Sequence, residues 1–195
     1  MENIILDGQY WSNRYLSNET GWDIGNSATP LANYINQLTD KNIKILIPGC
    51  GNAYEAEYLL AKGFTNITLL DISEVLVKNL QEKFKENSHI KIICEDFFEH
   101  QEEYDLVLEQ TFFCAINPTL RPHYALKMAQ ILKKQGKLVG LLFNKNFEIN
   151  PPFGGNTQEY ILYFEPYFEF KTFEECYNSI PPRAKSELFI NFIKK

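Results

Sequence analysis

Three short patches of this chain hold residue types that can act together on one ligand. The first is Pro48-Gly49-Cys50-Gly51-Asn52-Ala53, directly after the apolar run Ile43–Ile47. Glycine has no Cβ, so Gly49 and Gly51 let main-chain amides approach a ligand closely. The second is Asp71, which closes the apolar run Ile67–Leu70 and stands 20 residues past Gly51. That separation suits a carboxylate that takes both hydroxyls of a ribose. The third is Asp96, in Cys94-Glu95-Asp96-Phe97-Phe98 after a further apolar run. An acid there can accept from an adenine amino group while Phe97 flanks the ring. A GxG turn alone is a weak signal, and the bland alternative is a tight turn plus a helix-capping Asp. The third glycine of the dinucleotide fingerprint is missing, with Tyr54 and Glu55 in its place. This argues against NAD and against a pyrophosphate.

Glycine turn, ribose acid and adenine acid in this order are the S-adenosylmethionine layout of a class I methyltransferase. The layout requires that the apolar runs be neighbouring strands of one sheet, and the rest of the pattern provides this. A helix is expected from Thr29 (N-cap) and Pro30 to about Leu38, then a strand over 43–48 and a helix from about Ala53 to Ala61, ended by Gly63. The strand Ile67–Leu70 ends on Asp71, and Ser73 caps a helix to about Phe84. Strands follow at 90–94 and 104–108, then a helix over about 120–132 closed by Gly136, then a strand at 137–143. Segments 168–174 and 187–193 alternate with period two and read as an antiparallel pair at the sheet edge. The expected fold is therefore α/β: a seven-stranded, mostly parallel Rossmann-like sheet with a C-terminal antiparallel strand pair, forming one domain over 1–195.

Composition excludes several classes. With 19 Lys plus Arg against 25 Asp plus Glu, the net charge is −6, which argues against a nucleic-acid partner held on a broad basic surface. No apolar run is long enough to span a membrane, and the start Met1–Asp7 carries no basic, apolar leader pattern. A cytoplasmic monomer is expected. Cys50, Cys94, Cys114 and Cys176 form no CxxC pair and no His stands at metal spacing, so they read as small buried hydrophobes and no metal is expected. His89, His100 and His123 are scattered and read as surface residues.

The chain resembles the thiopurine S-methyltransferase family, most of all its thiol and halide methyltransferase branch. The resemblance rests on Tyr10-Trp11-Ser12-Asn13-Arg14-Tyr15 with Gly21-Trp22-Asp23, on Ile47-Pro48-Gly49-Cys50-Gly51, on Leu70-Asp71-Ile72-Ser73, on Thr111-Phe112-Phe113-Cys114-Ala115-Ile116 through Arg121-Pro122, and on Pro151-Pro152-Phe153. It implies S-adenosylmethionine as cofactor and a small-molecule methyl acceptor. The cofactor contacts it implies are Trp11, Tyr15, Trp22, Gly49, Asp71, Asp96, Phe97 and Gln110, and the neighbouring Gly51 and Ile72 are expected contacts beside them. Two positions depart from the family: Tyr15 replaces a frequent Trp, and Glu109-Gln110 stands where the thiopurine enzymes carry an acid followed by Arg. The halide and thiol branch has an uncharged residue there, and this chain sides with it.

The cofactor is a sulfonium, and aromatic faces attract cations once water is excluded. Trp11, Tyr15 and Trp22 are thus expected to close residues 1–28 as a lid over it, with Gly8, Gly21 and Gly25 available as hinges. Transfer to sulfur or halide is an in-line displacement in which alignment and dryness count for more than a base; no catalytic residue is assigned. Phe112, Phe113 and Phe153 are the expected walls of the acceptor pocket. Two alternatives stand beside this: an amine methyltransferase acting through Asn150-Pro151-Pro152-Phe153, though that motif belongs after strand four and here follows strand five, and a protein that binds S-adenosylmethionine without turnover.

Overall fold

The computed structural model describes residues 5–195. The first four residues, on which most of the leader reading falls, lie outside the described residues. The elements in chain order are α1 (Gly8–Leu16), α2 (Thr29–Ile35), β1 (Ile45–Pro48), α3 (Tyr54–Ala61), β2 (Ile67–Asp71), α4 (Glu74–Lys83), β3 (Ile90–Cys94), β4 (Tyr104–Gln110), α5 (Arg121–Ile131), β5 (Leu132–Phe143), α6 (Thr157–Phe164), β6 (Phe168–Glu175) and β7 (Glu187–Lys194).

The seven strands form one sheet in the order β3-β2-β1-β4-β5-β7-β6. β1 pairs in parallel with β2 and β4, β2 with β3, and β4 with β5, while β7 runs antiparallel to both β5 and β6. Successive side chains of a strand face opposite ways, and they sort here into two cores. Ile45, Ile47, Leu106, Leu108, Val139 and Leu141 join Leu31, Ile35, Leu59, Leu76 and Leu80 of α2, α3 and α4 on one face. Leu46, Val107, Leu138 and Leu142 join Tyr124, Met128, Tyr160 and Phe164 of α5 and α6 on the other. Each such side chain, fully buried, is worth about 1.5–3 kcal/mol relative to exposure.

The structure departs from the sequence reading in four places. Residues 8–16, which show no clear periodicity, form helix α1; its N-cap is Asp7, whose side chain accepts the Tyr10 amide at 2.8 Å. Only Ser12 of this helix is buried, so an apolar stripe is not needed. Helix α6 has no counterpart in the reading; Asn156 caps it by accepting the Glu159 amide. The N-cap of α2 is Ala28, not Thr29. Gly136 does not close α5: the helix passes straight into β5, and Gly136 lies where the β4–β5 register shifts between Leu132 and Lys137.

Candidate active site

In an open α/β sheet, ligands bind past the carboxyl ends of the strands where the strand order reverses. Here that point is β1, which has β2 on one side and β4 on the other. A cavity of about 1130 Å³ lies there, just above the roughly 300–1,000 Å³ usual for ligand pockets.

The loop after β1 forms its floor. Gly49 and Gly51 adopt φ of 54° and 52°, in the left-handed region that favours glycine. A Cβ on Gly49 would stand 2.4 Å from Phe112 Cδ2, so this glycine also makes room for the loop after β4. Asp71 ends β2 in a buried position. Its Oδ1 accepts the Ser73 amide at 2.9 Å, and Oδ2 faces the Gly51 amide at 3.5 Å. Burial raises its pKa to about 6 against the pull of these amides. Ser73 in turn caps α4 and lies 3.0 Å, Oγ to Oγ, from Ser12 of α1. Gly8 packs under the same corner, where a Cβ would stand 2.6 Å from the Ile72 carbonyl oxygen. Gly8 is therefore a close-packing glycine rather than a hinge. After β3, Asp96 accepts the Phe98 amide at 2.9 Å, and Phe97 packs edge-on against Phe112 with centroids 5.2 Å apart.

The loop after β4 is shaped by Glu109, which is fully buried. Its Oε1 accepts the amides of Phe112 and Phe113 at 2.8 and 2.9 Å, and its Oε2 accepts the Tyr124 hydroxyl at 2.5 Å. Burial raises its pKa to about 7. This grip turns Thr111 to a φ of 59° and presents Gln110, Thr111 and Phe112 to the cavity. Buried Gln110 Oε1 has no hydrogen-bond partner among the described residues. From sequence Glu109 stands out only as a neighbour of Gln110; the available signal is a carboxylate directly after the apolar run Leu106–Leu108.

The N-terminal segment closes one wall. Trp22 packs edge-on against both Trp11 and Tyr15, at 5.5 and 5.9 Å between centroids. Asp23 accepts from the Asn52 amide group and from the Tyr54 hydroxyl, and Glu55 accepts the Ala28 amide at 3.0 Å.

Trp11, Tyr15, Trp22, Gly49, Gly51, Asp71, Ile72, Asp96, Phe97, Gln110 and Phe112 all line the cavity. Phe113 and Phe153 do not. Phe113 is a core residue, packed against Tyr124, Tyr160 and Phe164 under the Arg121 guanidinium. Phe153 acts through its main chain: its amide donates to the Cys114 carbonyl and its carbonyl accepts from Arg121. The wall on that side is made instead by Phe143, Phe147, Pro151, Pro152 and Pro182. Asn150 of the Asn-Pro-Pro-Phe motif is exposed and does not line the cavity. No histidine lines it; His100 is buried elsewhere, 2.8 Å from the Tyr104 hydroxyl, contrary to the expected surface position. Cys50, Cys114 and Cys176 are buried as expected, whereas Cys94 is exposed. Among the described residues no helix is long and apolar enough to cross a membrane.

Residues 6–191 match the family model described as thiopurine S-methyltransferase. A probable thiol methyltransferase 2 of Arabidopsis thaliana is 32% identical over 156 residues, which cover 77% of this chain and 69% of that relative. Thiocyanate methyltransferase 1 of the same plant is 28% identical over 185 residues, covering 91% of this chain and 81% of that one. Among solved structures, the 1,6-didemethyltoxoflavin-N1-methyltransferase of Burkholderia thailandensis, bound to S-adenosylhomocysteine, superposes with a TM-score of 0.75 at 12% identity, over 100% of this chain and 93% of that one. The chain belongs to the thiopurine S-methyltransferase family, and with it to the S-adenosylmethionine-dependent methyltransferases.

Proposed function

We propose that this enzyme moves the methyl group of S-adenosylmethionine to a small soft nucleophile, a thiol, hydrosulfide or halide, by in-line displacement. When bound, the cofactor supplies a methyl group activated on a sulfonium. The cavity has the features to hold it. Asp71 offers a buried carboxylate whose remaining acceptor positions suit two ribose hydroxyls. The unpartnered Gln110 Oε1 suits the ammonium of the methionine portion. The left-handed Gly49 and Gly51 keep the floor free of side chains, and Asp96 with Phe97 suits an adenine edge and face. Trp11, Tyr15 and Trp22 belong to a cover formed by the N-terminal segment, which excludes water and offers aromatic faces to the sulfonium.

One observation carries the choice of acceptor. Among the described residues six carboxylates line the cavity, namely Asp7, Asp23, Glu55, Asp71, Glu95 and Asp96, and each is already engaged by a donor or cation of the protein. His100 faces Glu95 at 3.3 Å but does not line the cavity. A wall without a free base suits an acceptor that arrives as an anion or nearly so, and leaves the protein the work of alignment and drying. The names of the plant relatives point the same way, to thiol and thiocyanate. The test is release of S-adenosylhomocysteine from a panel of hydrosulfide, organic thiols, thiocyanate, iodide and primary amines. Turnover with the sulfur or halide members is expected. Turnover confined to amines would overturn the proposal, and binding without any turnover would point to a cofactor-binding protein.

A further inference from the structure

The N-terminal segment is tied to the sheet at both of its flanks, by very different means. On the flank of β1 and β2 there are several short contacts: Ser12 to Ser73, Asp23 to Asn52 and Tyr54, and Ala28 to Glu55. On the flank of β5 and β7 there is a single residue. Arg183, in the turn between β6 and β7, donates from Nη2 to the Trp22 carbonyl at 2.7 Å, across 161 residues. Among the described residues this is the one hydrogen bond that joins residues 5–28 to anything beyond Ser73.

Arg183 is built for a fixed position. It is 9% exposed, its Nη1 faces Oε1 of the buried Glu187 at 3.4 Å, and its guanidinium carbon lies 5.6 Å from the Phe143 ring centroid. It also lines the cavity. A guanidinium can hold a carboxylate and a carbonyl at once because its donors form a rigid fork, which an ammonium lacks. Trp22 is the residue through which Trp11 and Tyr15 connect in the aromatic cluster. Fixing its carbonyl therefore fixes the aromatic cover from the far side.

We propose that Arg183 is a positioning residue: a latch that closes the ring of the cavity by clamping the N-terminal cover onto the start of β7. The proposal rests on the functional reading above only for its kinetic consequence. The latch itself has a readout that needs no turnover, because both tryptophans of the chain, Trp11 and Trp22, lie in the clamped segment.

The test compares the wild type with Arg183→Lys, which keeps a charge beside Glu187 but cannot span both partners, and with Arg121→Lys. Arg121 is also buried, is bonded to Glu159 and the Phe153 carbonyl, and makes no hydrogen bond to the segment. In ligand-free protein, acrylamide quenching of tryptophan emission is expected to rise in Arg183→Lys and to stay unchanged in Arg121→Lys. The S-adenosylmethionine KM is expected to rise about tenfold in Arg183→Lys, as for the loss of one hydrogen bond to a charged donor, with a much smaller change in kcat. Unchanged quenching in Arg183→Lys overturns the latch, as does an equal rise in both variants, which marks general loosening. If the wild type fails to bind S-adenosylhomocysteine while quenching still rises in Arg183→Lys, the latch stands and the functional reading falls.

Discussion

The two halves of the cavity wall are held by different forces. After β1, β2 and β3 the main chain does the holding: Gly49 and Gly51 turn left-handed, and the carboxylates of Asp71 and Asp96 are fixed by amides two residues onward, Ser73 and Phe98. After β4 and β5, and between β6 and β7, buried side chains do it by reaching across the fold. Glu109 grips the Phe112 and Phe113 amides and the Tyr124 hydroxyl, Arg121 ties the Phe153 carbonyl to Glu159, and Arg183 ties the Trp22 carbonyl to Glu187. The first half is specified by local sequence and is matched to an unvarying cofactor. The second half is specified by tertiary contacts, so its loops can change shape without touching the cofactor floor. We assign acceptor choice to it on that ground.

The largest effect that would sharpen this contrast lies at Asp71. Asp71→Ala should weaken S-adenosylhomocysteine binding by about 3–5 kcal/mol, since two hydrogen bonds to a charged acceptor are lost. The pH dependence follows from the same group. With a pKa of about 6 in the folded protein, the carboxylate accepts from both hydroxyls only when ionised, so affinity should fall as pH drops through about 6. Asp71→Asn should flatten that profile. Titration calorimetry between pH 7.5 and 5 decides it, and a loss under tenfold in Asp71→Ala would remove the ribose role.

In the second half the corresponding position is Glu109, and there the cost should appear in stability. Glu109→Ala strands two amides and a hydroxyl and should cost about 2–4 kcal/mol in urea unfolding. Its pKa of about 7 lies above the ordinary 4.5, so between those values the folded state holds a proton that the unfolded state has released. The stability this contributes is complete below pH 4.5 and is lost as pH rises through about 7. Glu109→Gln keeps the acceptor oxygen and should reduce that decline. A decline identical to the wild type would show that the group does not titrate there.

Smaller effects belong to the aromatic side chains. Trp11→Ala and Trp22→Ala should each weaken cofactor binding by about 0.5–2 kcal/mol, the range for a cation held on an aromatic face. A lower melting temperature with unchanged affinity in both would make them packing residues only. The smallest test separates two neighbours: Phe113→Leu should cost about 1 kcal/mol of stability and leave the acceptor KM alone, whereas Phe112→Leu should shift that KM.

The same division explains what could be read from the sequence. The strands, their helices and the strand-end acids were legible because each is encoded within a few residues. Ile67–Asp71 is an apolar run that stops on an acid, and Gly49 and Gly51 mark a turn that only glycine makes easily. Helix α1 was not legible because it buries only Ser12 and so carries no apolar stripe. Helix α6 was hidden by the prolines and glycines before it, although Asn156 with Glu159 three residues later is a capping signature. Phe112 and Phe113 are adjacent in a loop, where no period tells which one faces the cavity. The roles of Glu109 and Arg183 depend on partners that are distant in sequence, as with Arg183 and Trp22, or set by loop shape.

The position of β7 has a consequence for how the chain is made. The seventh strand in chain order is not an edge: β7 lies between β5 and β6 and supplies every sheet hydrogen-bonding neighbour that β6 has. Until residues 187–194 emerge, β6 is an unpaired strand and β5 presents an open side, so the nascent chain carries bare strand edges that invite pairing with other chains. Loss of residues 187–194 would leave β6 without a partner rather than trim the sheet by one strand. Vectorial synthesis thus leaves both the pairing of β6 and the completion of the sheet to residues 187–194.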